Sequence, residues 1–337
     1  MRVLLIKTSS MGDVIHTLPA LTDAQRAIPG IRFDWVVEEG FTDIPAWHPA
    51  VDRIIPVAIR RWRKSLWQTW RSGEYRRFKR SLQQQTYDLV LDAQGLLKSA
   101  WLTRGVQAPV AGLDKQSARE PLASRFYDRR YAVAPEQHAV ERVRSLFAQA
   151  LGYAVPASTG AYGLDRKALA AQLSQPPEQP WLVFLHGTTW ASKHWPEANW
   201  RALAAHYSEQ GMLVRLPWGN IEEQARAQRI AAGLPGVAVL PKLKIAEVAS
   251  WLAGARACVA VDTGLGHLTA ALDTPCVSLY GPTLPSKVGA YGRGQVHLCA
   301  TGPYAGKGDK QQPCFDSLEP PLVIAALDEL LAVTTAE

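Results

Sequence analysis

Cysteine is scarce in this sequence, with four among 337 residues, at Cys258, Cys276, Cys299 and Cys314. No two of them have the C-x-x-C spacing that indicates a zinc or dithiol site, and the eight histidines show no H-E-x-x-H pattern. These absences argue against a structural metal. They predict reduced thiols in a cytosolic protein.

Long apolar runs are missing as well. No window approaches the ~20 consecutive apolar residues that a membrane-spanning helix needs. The chain starts with a strand-like segment at 2–7, where an exported protein would have a basic leader and an apolar stretch. We therefore predict a cytoplasmic protein whose only membrane contact is peripheral.

Acidic residues are nearly absent from the segment 59–80, which contains nine Lys or Arg residues and a single acid, Glu74. Because the net charge of the whole chain is +7, this segment accounts for essentially all of the positive charge. Five aromatic residues lie between the basic ones. The pattern fits an anionic partner at an apolar boundary, nucleic acid, or solvated helices packed through their aromatic side chains.

The length predicts two domains of about 150 residues each. Apolar strands alternate with amphipathic segments of helical length, which is typical of parallel α/β architecture. The predicted strands are 3–7, 33–38, 88–92, 181–186, 213–217, 237–240, 258–262 and 276–280, and the predicted helices are 14–27, 197–210, 222–232, 245–255 and 265–272. We expect an N-terminal domain at 1–155, a linker rich in Pro, Gln and Ser at 155–180, a second domain at 181–320 and a last helix at 321–337.

Polar clusters follow several of the predicted strands, at 8–13, 186–197, 216–223 and 262–267. In open parallel sheets these strand ends face the ligand crevice, and glycines at a helix start suit a diphosphate. Each cluster also has a purely structural explanation. Asp13 could cap a helix, Lys193 could be solvated, and Glu222 could be favoured by the helix dipole.

Two nucleotide-binding motifs are absent. Without G-x-G-x-x-G spacing, a nicotinamide oxidoreductase is disfavoured. Without Asp-x-Asp, the pattern with which many sugar transferases hold a divalent ion, the charge of a leaving diphosphate must be met by lysine, hydroxyls and backbone amides. We therefore expect no divalent metal and no other cofactor.

Over residues 1–295 the sequence closely resembles the ADP-heptose:lipopolysaccharide heptosyltransferase family. The motifs that carry the resemblance in the first half are KTSSMGDVIHTLPA at 7–20, FDWVVEE at 33–39, RRWRK at 60–64, DAQGLLKS at 92–99, AREPLAS at 118–124 and QHAVER at 137–142. Those in the second half are KHWPE at 193–197, LPWG at 216–219 and DTGLGHLTAAL at 262–272. The motifs at 35–39 and 60–64 favour the member that adds the first heptose, whereas Pro313-Cys314-Phe315 is similar to the sister enzyme that adds the second.

The resemblance implies a GT-B glycosyltransferase with two facing Rossmann-like domains and a central cleft. It implies inverting transfer of L-glycero-D-manno-heptose from ADP-heptose to the inner Kdo of Kdo2-lipid A. We expect the protein to lie on the cytoplasmic face of the inner membrane and to bind no nucleic acid, and a monomer is the favoured oligomeric state. A salt-sensitive nucleic-acid binder remains the alternative from another class.

The resemblance also implies roles for particular residues. It makes Asp13 the general base. The implied donor contacts are Thr188, Thr189, Lys193, Glu222, Leu243, Asp262, Thr263, Gly264 and His267, with Glu223 as the alternative to Glu222. The implied acceptor contacts are Ser10, Arg60, Arg61, Arg63, Lys64, Lys98, Arg119, His138 and Arg142.

Overall fold

The computed structural model describes residues 1–333, apart from the side chains of Leu66 and Gln68. The chain divides into two compact units, 1–164 and 165–337. The division falls inside the expected linker at 155–180.

The first unit is an α/β structure around one six-stranded sheet. Its strands are β1 (Arg2–Ile6), β2 (Arg32–Glu38), β3 (Val51–Val57), β4 (Leu89–Asp92), β5 (Val110–Leu113) and β6 (Arg129–Tyr131). Its helices are α1 (Met11–Ile15), α2 (Leu18–Ala27), α3 (Asp43–Ala46), α4 (Ile59–Trp62), α5 (Leu66–Arg71), α6 (Glu74–Leu82), α7 (Leu97–Leu102) and α8 (Ala139–Leu151). The strands are parallel and lie in the order β3-β2-β1-β4-β5-β6.

The second unit repeats this architecture. Its strands are β7 (Trp181–Leu185), β8 (Leu213–Leu216), β9 (Val237–Val239), β10 (Ala257–Val261), β11 (Cys276–Tyr280) and β12 (Gln295–Cys299). Its helices are α9 (Arg166–Ala170), α10 (Glu197–Glu209), α11 (Ile221–Ala231), α12 (Ile245–Gly254), α13 (Gly264–Ala271), α14 (Pro285–Val288) and α15 (Pro320–Val333). The parallel order β12-β11-β10-β7-β8-β9 is the doubly wound order of the first sheet, read from the opposite edge.

In each sheet the strand order reverses between the first and the fourth strand, β1 and β4 in one unit and β7 and β10 in the other. Ligands of open α/β sheets bind outside the carboxyl ends of the strands at this switch point. The topology therefore predicts that ligands bind at the loops after these four strands.

The predicted strands are confirmed, with their ends within one residue. The strands that the sequence did not predict are β3, β5, β6 and β12, and three of these lie at sheet edges, where one face or side meets water and polar residues are tolerated. Pro56 in β3 is compatible with an edge position because no ladder hydrogen bond is needed on the open side. Helix α8 was also not predicted.

The single helix predicted at 14–27 was wrong, because the structure has two helices, α1 and α2, with a break at His16–Thr17. Pro19 is the second residue of α2, and its missing N–H cannot continue the hydrogen-bond ladder from α1. The break leaves α1 as a single short turn that begins directly after the polar segment 7–10.

The last helix, α15, carries its buried side chains Val323, Leu327 and Leu330 in the core of the second unit. The elements that this helix contacts include β10, β11, β12 and α10. Residues 334–337 of the predicted helix lie outside the described residues.

A buried ion pair joins α8 to α2 in the first unit. The Nε atom of Arg144 lies 2.6 Å from Oδ2 of Asp23, and both side chains are 2% exposed. The guanidinium also donates to Glu141 and to the carbonyl oxygens of Pro156 and Ser158. Arg144 therefore ties the end of the first unit to its core.

We predict that Arg144→Met will destabilise the first unit by about 3–5 kcal/mol, because it leaves the Asp23 carboxylate buried without its cation. The matched control is Arg229→Met, which removes an exposed pair with Glu197 of 2.8 Å and should cost less than about 1 kcal/mol. Urea unfolding followed by circular dichroism measures both. Equal losses in the two variants would contradict the prediction.

Candidate functional site

In the second unit the polar residues at the switch point converge on Asp262, the first residue after β10. Its Oδ2 atom lies 2.6 Å from Lys193 Nζ and accepts a hydrogen bond of 2.7 Å from Thr283 Oγ1. Thr188 Oγ1 donates to the Asp262 carbonyl oxygen over 3.1 Å, and His267 Nε2 lies 3.7 Å from Oδ1. The structure thus brings together four residues that the sequence placed in two separate clusters.

Next to this cluster, α13 begins at Gly264 with Thr263 as its N-cap. The first amide groups of a helix have no partner within it and point, with the positive end of the helix dipole, towards an anion. Gly264 adds no side chain to block the approach. Lys193, the hydroxyl of Thr188 and these amides form a positively polarised strand end that suits a phosphate group.

The acidic residue whose carboxylate reaches the loop after β8 is Glu223, in the first turn of α11. Its carboxylate accepts a hydrogen bond of 2.6 Å from the Gly219 amide, and its own amide is capped by Asn220 Oδ1 at 2.9 Å. A Cβ atom on Gly187 would lie 2.7 Å from Glu223 Cδ, so this glycine provides the space for the carboxylate. Glu222, one position earlier, is exposed.

The remaining two donor candidates lie on loops of the second unit. Thr189 is exposed in the loop after β7, whereas Leu243 is half-buried in the loop after β9. The latter loop is anchored to the loop after β8, because Trp218 donates from its indole nitrogen to the Leu240 carbonyl over 2.7 Å and Lys242 donates to the Gly219 carbonyl. The loop that carries Leu243 is therefore tied to the loop that precedes Glu223 in the chain.

In the first unit Asp13 is both half-buried and at the start of α1. Its Oδ2 atom accepts hydrogen bonds from the Ser10 amide at 2.8 Å and from Ser10 Oγ at 2.9 Å. This is the helix-capping geometry that the sequence offered as the structural alternative. Capping holds the carboxylate in one place at the switch point, so the two interpretations are compatible.

Two lysines, Lys7 and Lys98, interact electrostatically with this carboxylate. Lys98 Nζ lies 3.1 Å from Ser9 Oγ, and burial lowers the pKa of Lys98, with Glu38 and Asp13 acting against it and Arg60 and Arg63 acting with it. Lys7 is fully buried, which lowers its pKa, while Asp13 and Asp92 oppose the shift. Lys7 donates to the Ala93 carbonyl over 2.8 Å. The strand-end region of the first unit is thus rich in closely spaced positive groups.

Sequence reasoning missed Lys7 and Gln94 as members of this site. The side-chain oxygen of Gln94 accepts from the amides of Thr8 and Ser9 at 2.9 and 3.2 Å, which fixes the loop that carries Ser10 and Asp13. A polar residue after the fourth strand, opposite the polar loop after the first, was the available signal, since both loops border the switch point.

Three further acceptor candidates lie in the loop after β5 and at the start of α8. Arg142 on α8 donates to the Ser117 carbonyl over 2.8 Å, and burial lowers its pKa against the attraction of Glu136. His138 caps α8, and its ring meets that of His16 edge-on at 5.5 Å. Arg119 is exposed, in the loop that bonds back to Gly95 through the Glu120 amide.

The basic residues of the motif at 60–64 differ in whether an ion pair already compensates their charge. Arg61 is held by both Glu39 and Glu74, at 2.9 and 2.5 Å, so its charge is already compensated. The guanidinium of Arg60 lies over the Phe41 ring at 5.6 Å, while Arg63 and Lys64 are exposed. Arg60, Arg61 and Lys64 line a depression of about 380 Å³ together with Glu38, Glu39 and Phe41.

The described residues contain neither a metal-ligand cluster nor a membrane-spanning helix. Within 1–333, no group of three or more His, Cys, Asp or Glu side chains is placed to hold a metal ion. In the same part of the chain, no helix has the length and apolar character needed to cross a bilayer.

Two doubly wound units in one chain are the architecture of glycosyltransferases of the GT-B type. The model of glycosyltransferase family 9 (heptosyltransferase) matches residues 75–316, and the chain belongs to this family. The chain is therefore a glycosyltransferase and not the nicotinamide oxidoreductase that the sequence already disfavoured.

The relatives agree with this assignment. The chain is 70% identical over 306 residues to a protein named lipopolysaccharide heptosyltransferase 1 from Pseudomonas aeruginosa, covering 90% of this chain and 85% of that protein. A protein of the same name from Salmonella typhimurium is 56% identical over 301 residues, covering 89% of this chain and 94% of the relative. The Salmonella protein named lipopolysaccharide heptosyltransferase 2 is 24% identical over 98% of this chain and 99% of its own length.

Solved structures of E. coli heptosyltransferase WaaC are similar over nearly the whole chain. The structure with ADP has a TM-score of 0.90 and 50% identity, covering 98% of this chain and 100% of that one. The structure with ADP-2-deoxy-2-fluoro heptose has a TM-score of 0.87, the same identity, and covers 98% and 99%. These values confirm the GT-B fold that the resemblance implied.

The buried histidine His186, directly after β7, gives the second unit a pH dependence. Burial lowers its pKa to about 4, and the neighbouring Arg226 and His194 act in the same direction. The ordinary pKa of histidine is about 6.5, so between these values the unfolded chain binds more protons than the folded one. The contribution of neutral His186 to the free energy of unfolding is therefore fully present above about pH 6.5 and is lost as the pH falls towards 4.

We predict that His186→Asn will reduce this acid sensitivity, for which one group contributes at most about 1.4 kcal/mol per pH unit. The measurement is the free energy of unfolding at pH 7, 6, 5 and 4, with His206→Asn on α10 as the control that should keep the wild-type slope. Proton NMR of the folded protein tests the same point directly. A His186 that titrates near pH 6.5 in the folded state would refute the prediction.

Proposed function

We propose that this chain transfers L-glycero-D-manno-heptose from ADP-heptose to the inner Kdo of Kdo2-lipid A, with inversion at the anomeric carbon. The observation that carries the proposal is the 70% identity to a protein named lipopolysaccharide heptosyltransferase 1 over 90% of this chain. The similarity to WaaC bound to ADP-2-deoxy-2-fluoro heptose supports the nature of the donor.

The donor binds the second unit in this proposal. The diphosphate lies against Lys193, Thr188, Thr189 and the start of α13 at Thr263 and Gly264, while Asp262 and His267 hold these groups in place. Lysine, hydroxyls and amides then meet the leaving-group charge without a divalent ion, in keeping with the absence of Asp-x-Asp. Leu243 contacts the nucleoside from the loop after β9.

We assign the contact with the ribose hydroxyls to Glu223 and not to Glu222. The carboxylate of Glu223 lies between Gly187 and Gly219 at the strand end, whereas Glu222 is exposed in the first turn of α11. A carboxylate in this position matches the acidic residue that binds ribose hydroxyls in other doubly wound folds.

The acceptor binds the first unit. Its carboxylates and phosphates meet the cations Arg60, Arg63, Lys64, Lys98, Arg119 and Arg142, and Ser10 and His138 add hydrogen-bond groups. Arg61 contributes less, because Glu39 and Glu74 already compensate its charge. These cations attract the carboxylates and phosphates of the acceptor, and this attraction brings the acceptor close to Asp13.

Asp13 is the general base of this reaction. Its carboxylate takes the proton of the attacking Kdo hydroxyl, whose oxygen forms a bond to the anomeric carbon as the bond from that carbon to the ADP oxygen breaks. Inversion by single displacement requires a base beside the acceptor and charge stabilisation at the leaving group. Asp13 supplies the first and Lys193 the second.

We further propose that the protein works as a monomer on the cytoplasmic face of the inner membrane. Trp67 and Trp70 on α5 are 66% and 59% exposed and stack with ring centroids 5.5 Å apart. They lie among the basic residues of α4 and α6, and such a combination is typical of surfaces that sit at the boundary of an anionic bilayer.

The experiment that tests the function is mass spectrometry of the product formed from ADP-heptose with two acceptors, Kdo2-lipid A and Kdo2-lipid A that already carries one heptose, in excess EDTA. We expect one heptose on the first acceptor and none on the second. Product from the second acceptor alone would establish the sister activity, to which Pro313-Cys314-Phe315 is similar. Loss of activity in EDTA would contradict the metal-free donor site.

We predict that Asp13→Asn will lower kcat by about 10²- to 10⁴-fold, the usual loss when a general base is removed. The amide oxygen of asparagine can still accept the hydrogen bond from the Ser10 amide, so the thermal unfolding midpoint should stay near that of the wild type. Steady-state kinetics and calorimetry measure the two quantities. A folded Asp13→Asn protein with a normal kcat would leave Asp13 with its capping role alone.

We predict that Glu223→Gln will weaken ADP binding by about tenfold, because a charge-assisted hydrogen bond to a hydroxyl is typically worth about 1.5–3 kcal/mol. Glu222→Gln is the matched control on the same helix turn and should bind ADP with wild-type affinity. Isothermal titration calorimetry with ADP measures both. A larger loss in Glu222→Gln would reverse the assignment.

A further inference from the structure

The loop between β12 and α15, at 300–319, returns to the donor side of the second unit. Ser192 donates from its hydroxyl to the Asp309 carbonyl over 2.7 Å and from its amide to the Lys310 carbonyl over 3.3 Å. A Cβ atom on Gly281 would lie 2.7 Å from Cys314 Sγ and 2.8 Å from the Phe315 ring, so the loop packs closely on this glycine. The loop is therefore anchored beside Lys193 and Thr283.

This anchoring places a second lysine next to Lys193. Lys193 Nζ lies 4.4 Å from the centre of the Trp190 ring, and Lys310 Nζ lies 5.1 Å from the same centre. The two ammonium groups are therefore separated by at most the sum of these distances. Both are within the range in which an aromatic ring attracts a cation.

The two lysines differ in whether a carboxylate of the protein already pairs with their charge. Lys193 is paired with the buried carboxylate of Asp262 at 2.6 Å, so the pair as a whole is close to neutral. Lys310 is exposed, and within residues 1–333 no salt bridge to it is formed. The adjacent acid, Asp309, accepts instead from the amides of Gln311 and Gln312, at 2.8 and 3.2 Å.

We propose that Lys310 is a second cation for the donor diphosphate, delivered to the site by the loop at 300–319. The inference rests on the proposed function, in which the diphosphate binds beside Lys193. A diphosphate carries at least two negative charges, and Lys193 is a single cation whose charge Asp262 already offsets in part. Lys310 supplies that charge, and Trp190 holds the two ammonium groups on one ring.

The test is isothermal titration calorimetry of the full-length protein with ADP and with AMP. Lys310→Ala should weaken ADP binding by about tenfold, a typical loss for one charge-assisted contact, and should weaken AMP binding less, because AMP lacks the second phosphate. Lys310→Arg should restore most of the ADP affinity. Lys307→Ala is the matched control, since this exposed lysine of the same loop has no contact with Trp190 in the described structure.

The outcomes separate this inference from the proposed function. If the wild type binds ADP and Lys193→Ala weakens it, but Lys310→Ala binds ADP normally, the inference is overturned and the donor site stands. An equal loss in Lys307→Ala would also overturn it, because the effect would then come from disturbance of the loop. Failure of the wild type to bind ADP would contradict the proposed function itself.

Discussion

A buried carboxylate at the end of the fourth strand organises the ligand side of each unit. Asp262 follows β10, and Asp92 ends β4, the equivalent strand of the first sheet. Asp92 accepts from the amides of Gln94 and Gly95, from Ser99 Oγ and from the Tyr127 hydroxyl, and burial raises its pKa against these hydrogen bonds. Without such donors a buried carboxylate would be very costly, so the loops around it have little freedom.

The two carboxylates meet this constraint differently. Asp92 is satisfied by neutral donors, and it fixes the loop that carries Gln94, which in turn fixes Ser9 and the start of α1. Asp262 is satisfied by a cation, Lys193, together with the Thr283 hydroxyl. The same position in the same topology therefore gives a rigid support in one unit and an ordered charged group in the other.

Much of this arrangement could be predicted from the sequence. Central strands such as β1, β7 and β10 are buried on both faces and appear as continuous apolar runs. The edge strand β6, with the sequence Arg-Arg-Tyr, has no such signal. The clusters at strand ends could be located because parallel strands place their carboxyl ends together, whichever side chains follow.

The choice between neighbouring residues could not be predicted in this way. Arg60 and Arg61 are identical in type and adjacent, and only tertiary contacts with Glu39 and Glu74 show which one is already paired. Glu222 and Glu223 are likewise equivalent until the space provided by Gly187 and Gly219 is known. The position of Lys310 depends on a long loop without periodicity, for which local sequence patterns carry little information.

The hydrogen bonds of Glu223 in the absence of a ligand have a consequence for the entropy of binding. Its carboxylate already accepts from the Gly219 amide and the Asn220 side chain. A carboxylate has about four acceptor positions, so two remain for the ribose hydroxyls of the proposed donor complex. Because the internal hydrogen bonds fix the side chain before a nucleotide arrives, little rotamer freedom is left to be lost on binding. Preorganisation of this kind raises affinity without adding a contact.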